Sequence, residues 1–366
     1  MTSTPDTDNS RPDAPRPADS RPDSPPTGTG PAGTVLPGTV LPGTVLPGVP
    51  VPLSRLVLGT MTFGDTVGPS DALTMLDAAL DAGITGVDTA NAYAGGGTET
   101  ILAAALTPAR RARMVLATKA GMPHPDTGDH SPLSPTGMRR ALEGSLRRLR
   151  TDHVDLFYLH QPDRTVPLAD TLATVAEFAA EGKIGALGVS NFAAWQISEV
   201  VHTAERIGAP GPVIAQQLYN LLARRVEEEY LEYARTSGLF TMVYNPLGGG
   251  LLTGRHRFGD TPADGRFGDS ALAAMYRQRY WDPRLFDAVE RLAVIADGAG
   301  IPLTDLSLRW LLGRDDVHAL LLGGSRLDHL RANIAAAGAG PLPADVTAAC
   351  DEVGAALRGP MPAYNR

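Results

Sequence analysis

The sequence predicts a (β/α)8 barrel, an α/β fold of one domain, preceded by a disordered N-terminal tail. Short apolar runs alternate with amphipathic segments over residues 53–366, and eight such units fit into about 310 residues, as a barrel with insertions requires. The stretch Thr60-Met-Thr-Phe-Gly64 follows the first run and lacks a Gly-rich phosphate-binding turn. A doubly wound sheet, the rival fold, usually carries such a turn at that point.

The predicted helices have apolar residues at three- and four-residue spacing, as in Leu142, Leu146 and Leu149. Strands separated by such helices imply right-handed parallel crossovers. In chain order, the strand and helix of each unit are predicted at residues 55–59 and 70–82; 84–88 and 98–106; 114–118 and 134–150; 154–159 and 168–181; 184–189 and 193–207; 213–217 and 225–237; 240–243 and 285–299; 319–322 and 327–337. A long loop separates the strand and the helix of the seventh unit.

Residues 1–52 are predicted to form the disordered tail, and residues 53–366 the barrel. The tail holds 13 of the 31 prolines and no aromatic residue, and Gly-Thr-Val-Leu-Pro occurs three times in succession from Gly33 to Pro47. Prolines at this density disfavour helices and central strands, and the small side chains cannot offset the entropy of ordering the chain.

The composition excludes several classes of protein. A formal net charge of −8 argues against general affinity for nucleic acid, and the single cysteine, Cys350, excludes a disulfide framework and a cysteine-ligated zinc site. No apolar run reaches the roughly 18 residues of a membrane span, and the N-terminus has no apolar signal segment. The histidines lack convergent acidic or cysteine neighbours, so no metal is expected. We expect a cytoplasmic protein that binds neither nucleic acid nor membrane.

Four chemically active side chains follow the ends of three neighbouring predicted strands. Asp88 ends the second strand and Tyr93 follows it, Lys119 follows the third strand, and His160 follows the fourth. The C-terminal ends of barrel strands meet at one face, where barrel enzymes carry their sites. Lys119 is one of only two lysines and ends an apolar strand, so it needs a carboxylate partner, which Asp88 can supply.

This grouping predicts proton transfer to a carbonyl that accepts a hydride. The Lys119 cation should lower the pKa of Tyr93 from its usual value of about 10, so that Tyr93 can protonate the resulting alkoxide. Asp88 would keep Lys119 in place and charged, and His160 would hydrogen-bond the substrate oxygen. A purely structural ion pair between Lys119 and Asp88 is the alternative explanation.

At these positions the chain resembles the aldo-keto reductase superfamily. The matching stretches are Asp88-Thr-Ala-Asn-Ala-Tyr93, Ala117-Thr-Lys119, Val154-Asp-Leu-Phe-Tyr-Leu-His160, Gly188-Val-Ser-Asn-Phe192 and Tyr244-Asn-Pro-Leu-Gly248. The chain is similar in particular to the branch of aflatoxin-aldehyde and succinic-semialdehyde reductases. That second resemblance is carried by residues 244–254, Gly265-Arg-Phe267, residues 275–281 and the terminal Pro362-Ala-Tyr-Asn-Arg366. The resemblance implies NADPH bound without a Rossmann motif and a catalytic tetrad of Asp88, Tyr93, Lys119 and His160.

The resemblance also implies which residues contact the cofactor and the substrate. The nicotinamide end would contact Asp88, Ser190, Asn191, Gln217 and Tyr244. The pyrophosphate would be lined by Asn245, Pro246, Leu247, Gly248, Gly250, Leu251, Gly254, Arg255 and Arg266. The 2′-phosphate and adenine would contact Gly324, Ser325, Arg326, His329 and Asn333. The preference for NADPH over NADH depends mainly on Arg326. The substrate would contact His160, Tyr276, Trp281 and Arg366, and the Arg366 guanidinium would favour a substrate with a carboxylate.

The resulting prediction is an enzyme that uses NADPH to reduce aldehydes, either small dicarbonyls or carboxylated semialdehydes, to alcohols. Two alternatives stay open. One is a pathway-specific ketoreductase acting on a sugar or a polyketide. The other is a cofactor-sensing regulatory subunit like the potassium-channel β-subunits, which share this fold and tetrad. The branch also tends towards homodimers.

Overall fold

The computed structural model describes Met1 and residues 43–360. Its strands are β1 (Gly43–Thr44), β2 (Leu53–Ser54), β3 (Leu56–Gly59), β4 (Gly86–Asp88), β5 (Val115–Ala120), β6 (Val154–Leu159), β7 (Ile184–Ser190), β8 (Pro212–Leu218), β9 (Phe240–Tyr244) and β10 (Ala319–Leu322). Strands β3 to β10 are parallel, follow one another around a closed barrel in chain order, and meet where β10 pairs with β3. The predicted (β/α)8 fold is therefore confirmed.

Helices follow or connect the barrel strands. They are α1 (Pro69–Asp81), α2 (Gly97–Ala103), α3 (Pro108–Arg111), α4 (Pro135–Leu149), α5 (Leu168–Ala180), α6 (Ala194–Ile207), α7 (Tyr230–Ser237), α8 (Ala273–Tyr280), α9 (Pro283–Gly298), α10 (Leu303–Leu312), α11 (Leu327–Gly338) and α12 (Ala344–Arg358). Short 3-10 turns occupy Tyr93–Gly96, Pro125–Thr127, Arg225–Glu228, Gly248–Thr253 and Gly265–Phe267. Local sequence marks several starts: Ser134 accepts a bond from the Gly137 amide at the start of α4, with proline at the next position.

Every predicted strand is present, whereas the helix prediction is incomplete. The sequence prediction lacks α3, α8, α10 and α12. Helices α10 and α12 each follow another helix, so strand–helix alternation does not indicate them, and α8 lies inside the long loop after β9. The helix predicted at residues 225–237 begins as a 3-10 turn and becomes α-helical only at Tyr230.

The predicted tail boundary at residue 52 is wrong, because residues 43–54 form an ordered hairpin. Its strands β1 and β2 pair antiparallel, and between them Leu46 and Val49 are each only 4% exposed. Both side chains pack in an apolar cluster with residues of the barrel strands, among them Val57 and Leu156. The hairpin closes the end of the barrel at which the strands begin. Residues 2–42 of the predicted tail lie outside the described residues.

Proline and glycine fit this hairpin because of where they occur. Pro47, Pro50 and Pro52 lie between the two short strands, where a missing amide proton breaks no ladder bond. Gly48 has a φ of 78°, and a Cβ there would be 2.4 Å from the carbonyl oxygen of Gly185 at the start of β7. Only glycine allows this close approach to the barrel.

The barrel strands are largely buried and place polar side chains at one end. Strands β5 and β6 are buried along their whole length.

The region that the structure describes contains no helix long and apolar enough to cross a membrane. It also contains no group of three or more His, Cys, Asp or Glu residues arranged to hold a metal ion.

Candidate active site

Lys119, Asp88 and Tyr93 meet at the C-terminal end of the barrel. The Lys119 Nζ donates to the Asp88 carboxylate, to the Thr89 carbonyl oxygen at 2.9 Å and to the Tyr93 Oη at 3.2 Å. Lys119 and Asp88 are both fully buried. The three donors of one ammonium thus each have an acceptor, a geometry that suits the compact lysine head group.

Tyr93 reaches this position through an unusual turn. Strand β4 ends at Asp88, and Tyr93 begins a 3-10 turn that leads into α2. Within that turn Ala94, Gly95 and Gly96 have φ values of 47°, 60° and 91°. The left-handed region is uncommon for alanine, so surrounding contacts must hold this turn.

The pKa of Tyr93 differs from the sequence expectation. Burial raises it above its usual value, and the opposing effect of the Lys119 charge is smaller. The predicted lowering of this pKa is therefore wrong in its net direction, because burial disfavours the phenolate more than the cation favours it. Tyr93 is a neutral phenol at pH 7 and can donate a proton. For Lys119, burial lowers the pKa and Asp88 raises it, and the net shift is upward, which keeps the ammonium charged.

His160 follows β6 and lies edge-on to Tyr93, with ring centroids 5.9 Å apart. Its backbone amide donates to the Ala120 carbonyl oxygen at 2.8 Å, which fixes the residue to β5. Burial, assisted by the Lys119 cation, lowers the pKa of His160 to about 3, so the imidazole is neutral at pH 7. Its Nδ1 is buried and has no hydrogen-bond partner within residues 43–360.

Polar side chains at the ends of β7 and β9 adjoin His160. The Tyr244 hydroxyl donates to Asn191 Oδ1 at 2.7 Å, and Asn191 Nδ2 donates to the His160 carbonyl oxygen at 2.9 Å and to Ser190 Oγ at 3.1 Å. The Gln217 Nε2 donates instead to the Phe192 carbonyl oxygen at 2.7 Å. The structure therefore brings Ser190, Asn191 and Tyr244 together at the rim beside His160.

In the segment after β9, Asn245 fixes the backbone and Gly249 packs against α8. Asn245 Oδ1 accepts the Gly249 amide at 2.7 Å, and Asn245 Nδ2 donates to Tyr280 Oη at 2.7 Å. Gly249 has a φ of 71°, and a Cβ there would be 2.6 Å from the Tyr276 ring. The remaining predicted pyrophosphate residues of this segment are Pro246, Leu247, Gly248, Gly250, Leu251 and Gly254.

Cationic residues adjoin this segment and the loop after β10. Burial lowers the pKa of His329, and the positive charges of Arg326 and Arg255 lower it further. Both guanidinium groups therefore contribute positive potential at His329. The Ser325 hydroxyl lies 3.3 Å from His329 Nδ1. Asn333 Nδ2 donates to the carbonyl oxygen of Gly323, the residue before Gly324, at 3.4 Å. This combination could hold a phosphate dianion.

The family follows from comparison with known proteins. The model of the aldo/keto reductase family matches residues 55–355, which is most of the chain. The chain belongs to the aldo/keto reductase family. It is therefore an oxidoreductase enzyme, and members of this family use a reduced nicotinamide cofactor.

Relatives of this aldo/keto reductase carry three kinds of name. Aldo-keto reductase family 7 member A3 of Homo sapiens is 36% identical over 85% of this chain and 96% of its own length. Aflatoxin B1 aldehyde reductase member 2 of Rattus norvegicus is 35% identical over 85% of this chain and 87% of its own length. A probable voltage-gated potassium channel subunit beta of Oryza sativa subsp. japonica is 33% identical over 79% of this chain and 89% of its own length.

A nicotinamide dinucleotide fits the residues present in this aldo/keto reductase. At one end, the charges of Arg326 and Arg255 both act on His329, and Arg255 Nη2 would lie 4.0 Å from a Cβ on Gly250 in the segment after β9. Ser190, Asn191 and Tyr244 supply hydroxyl and amide groups at the opposite end, next to His160. The donors thus suit a phosphate at one end and a carboxamide at the other.

Of the predicted substrate residues, Tyr276 and Trp281 hydrogen-bond other parts of the protein. Tyr276 is only 3% exposed, and its hydroxyl accepts a 2.6 Å bond from Arg266 Nη1, which couples a predicted substrate residue to a predicted cofactor residue. Trp281 Nε1 donates to the Phe258 carbonyl oxygen at 3.1 Å, and its ring packs on Phe267 at 5.0 Å. Arg366 lies outside the described residues.

Two residues near the site are absent from the predicted site residues. Gln216 Nε2 donates to Asp88 Oδ2 at 2.8 Å, so the inner of two adjacent glutamines serves the tetrad. Strand alternation alone could have found it, because neighbouring residues of a strand face opposite sides. The charge of the exposed Arg279 opposes the rise in the Tyr244 pKa that burial causes, and no strand-end pattern indicates a residue on α8.

Proposed function

We propose that this enzyme uses NADPH to reduce aldehydes to alcohols, with Tyr93 as the proton donor. The observation that carries the proposal is the buried contact between Tyr93 Oη and Lys119 Nζ at 3.2 Å, with Lys119 paired to Asp88. A purely structural ion pair between Lys119 and Asp88 would not need the Tyr93 hydroxyl as a third partner. The relatives named aflatoxin B1 aldehyde reductase support an aldehyde as the substrate class.

The side chains have complementary roles in this proposal. NADPH, when bound, supplies the hydride. Tyr93, kept protonated by burial, donates a proton to the carbonyl oxygen, and Lys119 stabilises the phenolate that remains. Asp88 keeps Lys119 charged and in place. The neutral His160 hydrogen-bonds the substrate oxygen and orients the carbonyl.

NADPH would be held along the face described above. Ser190, Asn191 and Gln217 would bind the carboxamide, and Tyr244 would stack on the nicotinamide ring. The pyrophosphate would lie along residues 245–255 with Arg266, and the 2′-phosphate would contact Ser325 and Arg326.

The substrates we propose are small dicarbonyls and semialdehydes that carry a carboxylate. Arg279 adds a second argument for a carboxylate, because the charge of this exposed guanidinium acts on Tyr244 beside the tetrad. Tyr276, Trp281 and Arg366 stay predicted substrate contacts. A cytoplasmic location and a homodimer also stay predictions.

Oxidation of NADPH over a panel of aldehydes and ketones tests the proposal. The Tyr93→Phe variant should lose kcat by about 10²- to 10⁴-fold, the usual contribution of a positioned acid, while its dissociation constant for NADPH stays unchanged. The control is Tyr158→Phe, because the Tyr158 ring is also near Lys119, with its centroid 5.8 Å from Nζ. If the Tyr93→Phe variant still reduces aldehydes at the wild-type rate, Tyr93 is not the proton donor.

The cofactor preference has its own test. Arg326→Leu should weaken NADPH binding by about tenfold, equivalent to one charge-assisted hydrogen bond, and leave NADH binding unchanged. Isothermal titration with each cofactor measures both constants. Equal losses for NADH and NADPH would contradict a contact with the 2′-phosphate.

A regulatory subunit is the second candidate, and the relatives named as potassium channel β-subunits favour it. Deleting residues 2–42 removes sequence outside the described barrel and leaves the hairpin intact. If the shortened protein keeps full reductase activity and binds the same partner proteins as the full chain, the result counts against a regulatory role.

Comparing short semialdehydes with bulky ketones in the same panel separates the third candidate, a pathway-specific ketoreductase.

A further inference from the structure

Arg148, on α4, bridges two carboxylates that belong to different elements. Its Nε donates to Glu99 Oε2 at 2.8 Å, and its Nη1 donates to Asp126 Oδ2 at 2.7 Å. Glu99 is fully buried, and its Oε1 accepts a 2.6 Å bond from the Thr118 hydroxyl. The proposed chemistry uses none of these four side chains.

The network joins the two segments that carry the reacting pair. Thr118 directly precedes Lys119 in β5. Glu99 lies in the first turn of α2, the helix that continues from the 3-10 turn beginning at Tyr93. Glu99 therefore links the segment that presents Tyr93 to the strand that presents Lys119.

Arg148 also supports the left-handed turn itself. A Cβ on Gly96 would lie 2.7 Å from Arg148 Nε and 2.8 Å from its Cδ, so the arginine packs directly on the turn. The same turn contains Ala94, whose φ of 47° is uncommon for a residue with a side chain. The guanidinium covers the turn where only glycine leaves room for it.

We propose that Arg148 is a positioning residue for the proton donor. Acting through Glu99 and Gly96, it keeps Tyr93 Oη at hydrogen-bond distance from Lys119 Nζ. The inference rests on the proposed role of Tyr93 and adds a residue that touches neither substrate nor cofactor.

Steady-state kinetics of Arg148→Met test the proposal. Methionine keeps an apolar stem beside Gly96 and removes the fork that binds both carboxylates. We expect kcat to fall by about 10- to 100-fold, because small displacements of a reacting group have effects of this size. The NADPH dissociation constant should stay unchanged. The solvent deuterium isotope effect on kcat should rise, since proton donation becomes slower than the other steps.

Two further variants keep the test valid if Arg148→Met does not fold. Arg148→Lys retains the charge without the fork and should recover part of kcat. Gly144→Ala keeps Arg148 and favours the helix, but its Cβ would be 2.1 Å from Asp126 Oδ2 and should displace that carboxylate. It should give a smaller loss of kcat with the same rise in isotope effect. The matched control is Arg147→Met, at the preceding, exposed position of α4.

A double-mutant cycle separates positioning from a general structural role. In the Tyr93→Phe background, Arg148→Met should cost no more than about twofold in single-turnover hydride transfer, because the donor it positions is gone. An undiminished loss in that background, or wild-type kcat and isotope effect in Arg148→Met, would overturn the inference. Active Tyr93→Phe would instead reject the proposed function. Inactive Tyr93→Phe with fully active Arg148→Met would reject only the role of Arg148.

Discussion

The two ends of the barrel each contain an ion pair with a buried carboxylate, and the surroundings of the two pairs differ. At the end where strands begin, Arg111 Nη1 donates to Asp155 Oδ2 at 2.7 Å, and that oxygen also accepts the Leu116 amide at 2.7 Å. At the other end, the Lys119–Asp88 pair adjoins a phenol and the neutral imidazole of His160.

The two ion pairs differ in whether polar groups beside them can still bind a ligand. The Arg111 pair connects α3, β5 and β6, next to a barrel end that the hairpin covers with Leu46 and Val49. The Lys119 pair ends on the Tyr93 hydroxyl, and the adjacent His160 Nδ1 is buried with no partner among the described residues. Buried charge alone does not mark a site. A buried charge that leads to a titratable group and an unused polar atom does.

Exchanging the cation at the C-terminal end should have the largest effect. Lys119→Arg preserves the charge, but a planar fork cannot direct three donors at the Asp88 carboxylate, the Thr89 carbonyl and Tyr93 from one point. We expect kcat to fall by about 10³-fold, the usual size of a lost acid–base contribution. Stopped-flow oxidation of NADPH measures it.

The control is the opposite exchange at the other end. Arg111→Lys should cost about 1 kcal/mol of unfolding free energy and leave kcat unchanged, because its partner Asp155 only needs a cation within reach. If both exchanges changed kcat alike, or neither did, the contrast between the two ends would be wrong.

Removing a side chain from the hairpin should change stability and not turnover. Leu46→Ala should lower the unfolding free energy by about 2 kcal/mol, because it leaves a cavity in the apolar cluster. Val45→Ala is the matched control in the same repeat, since Val45 is 70% exposed. Urea unfolding compares the two variants, and equal effects would show that the hairpin does not seal the barrel.

A further predicted effect is a pH dependence of the unfolding free energy that originates at His160. Burial lowers its pKa to about 3 in the folded protein, against 6.5 in the unfolded chain. Between these values the unfolded state binds a proton that the folded state does not. The unfolding free energy should therefore fall, as pH drops below 6.5, by up to about 1.4 kcal/mol per pH unit. His160→Gln should reduce this slope, whereas the exposed His130→Gln should not; an unchanged slope in His160→Gln contradicts the assignment.

The barrel could be predicted because its strands are apolar runs with helices between them. The hairpin at residues 43–54 could not, since its prolines resemble those of the upstream tail and two-residue strands leave no periodic pattern. What orders it is the contact of Leu46 and Val49 with distant strands, which composition does not record.

The tetrad positions could be predicted from strand ends, but their energetics could not. The direction of the Tyr93 pKa depends on how completely the phenol is buried, and a sequence shows only that a lysine is near. Arg148 is similarly invisible, because its partners Glu99 and Asp126 are distant in sequence and meet it only in the folded chain.

The hairpin has a consequence for how the gene can change. The three tandem copies of Gly-Thr-Val-Leu-Pro are identical, and the last of them, residues 43–47, forms part of the hairpin. Loss or gain of one copy would still place the same five residues directly before Gly48. The segment before the barrel can therefore lengthen or shorten in steps of one repeat. The residues that close the barrel stay the same after each such change.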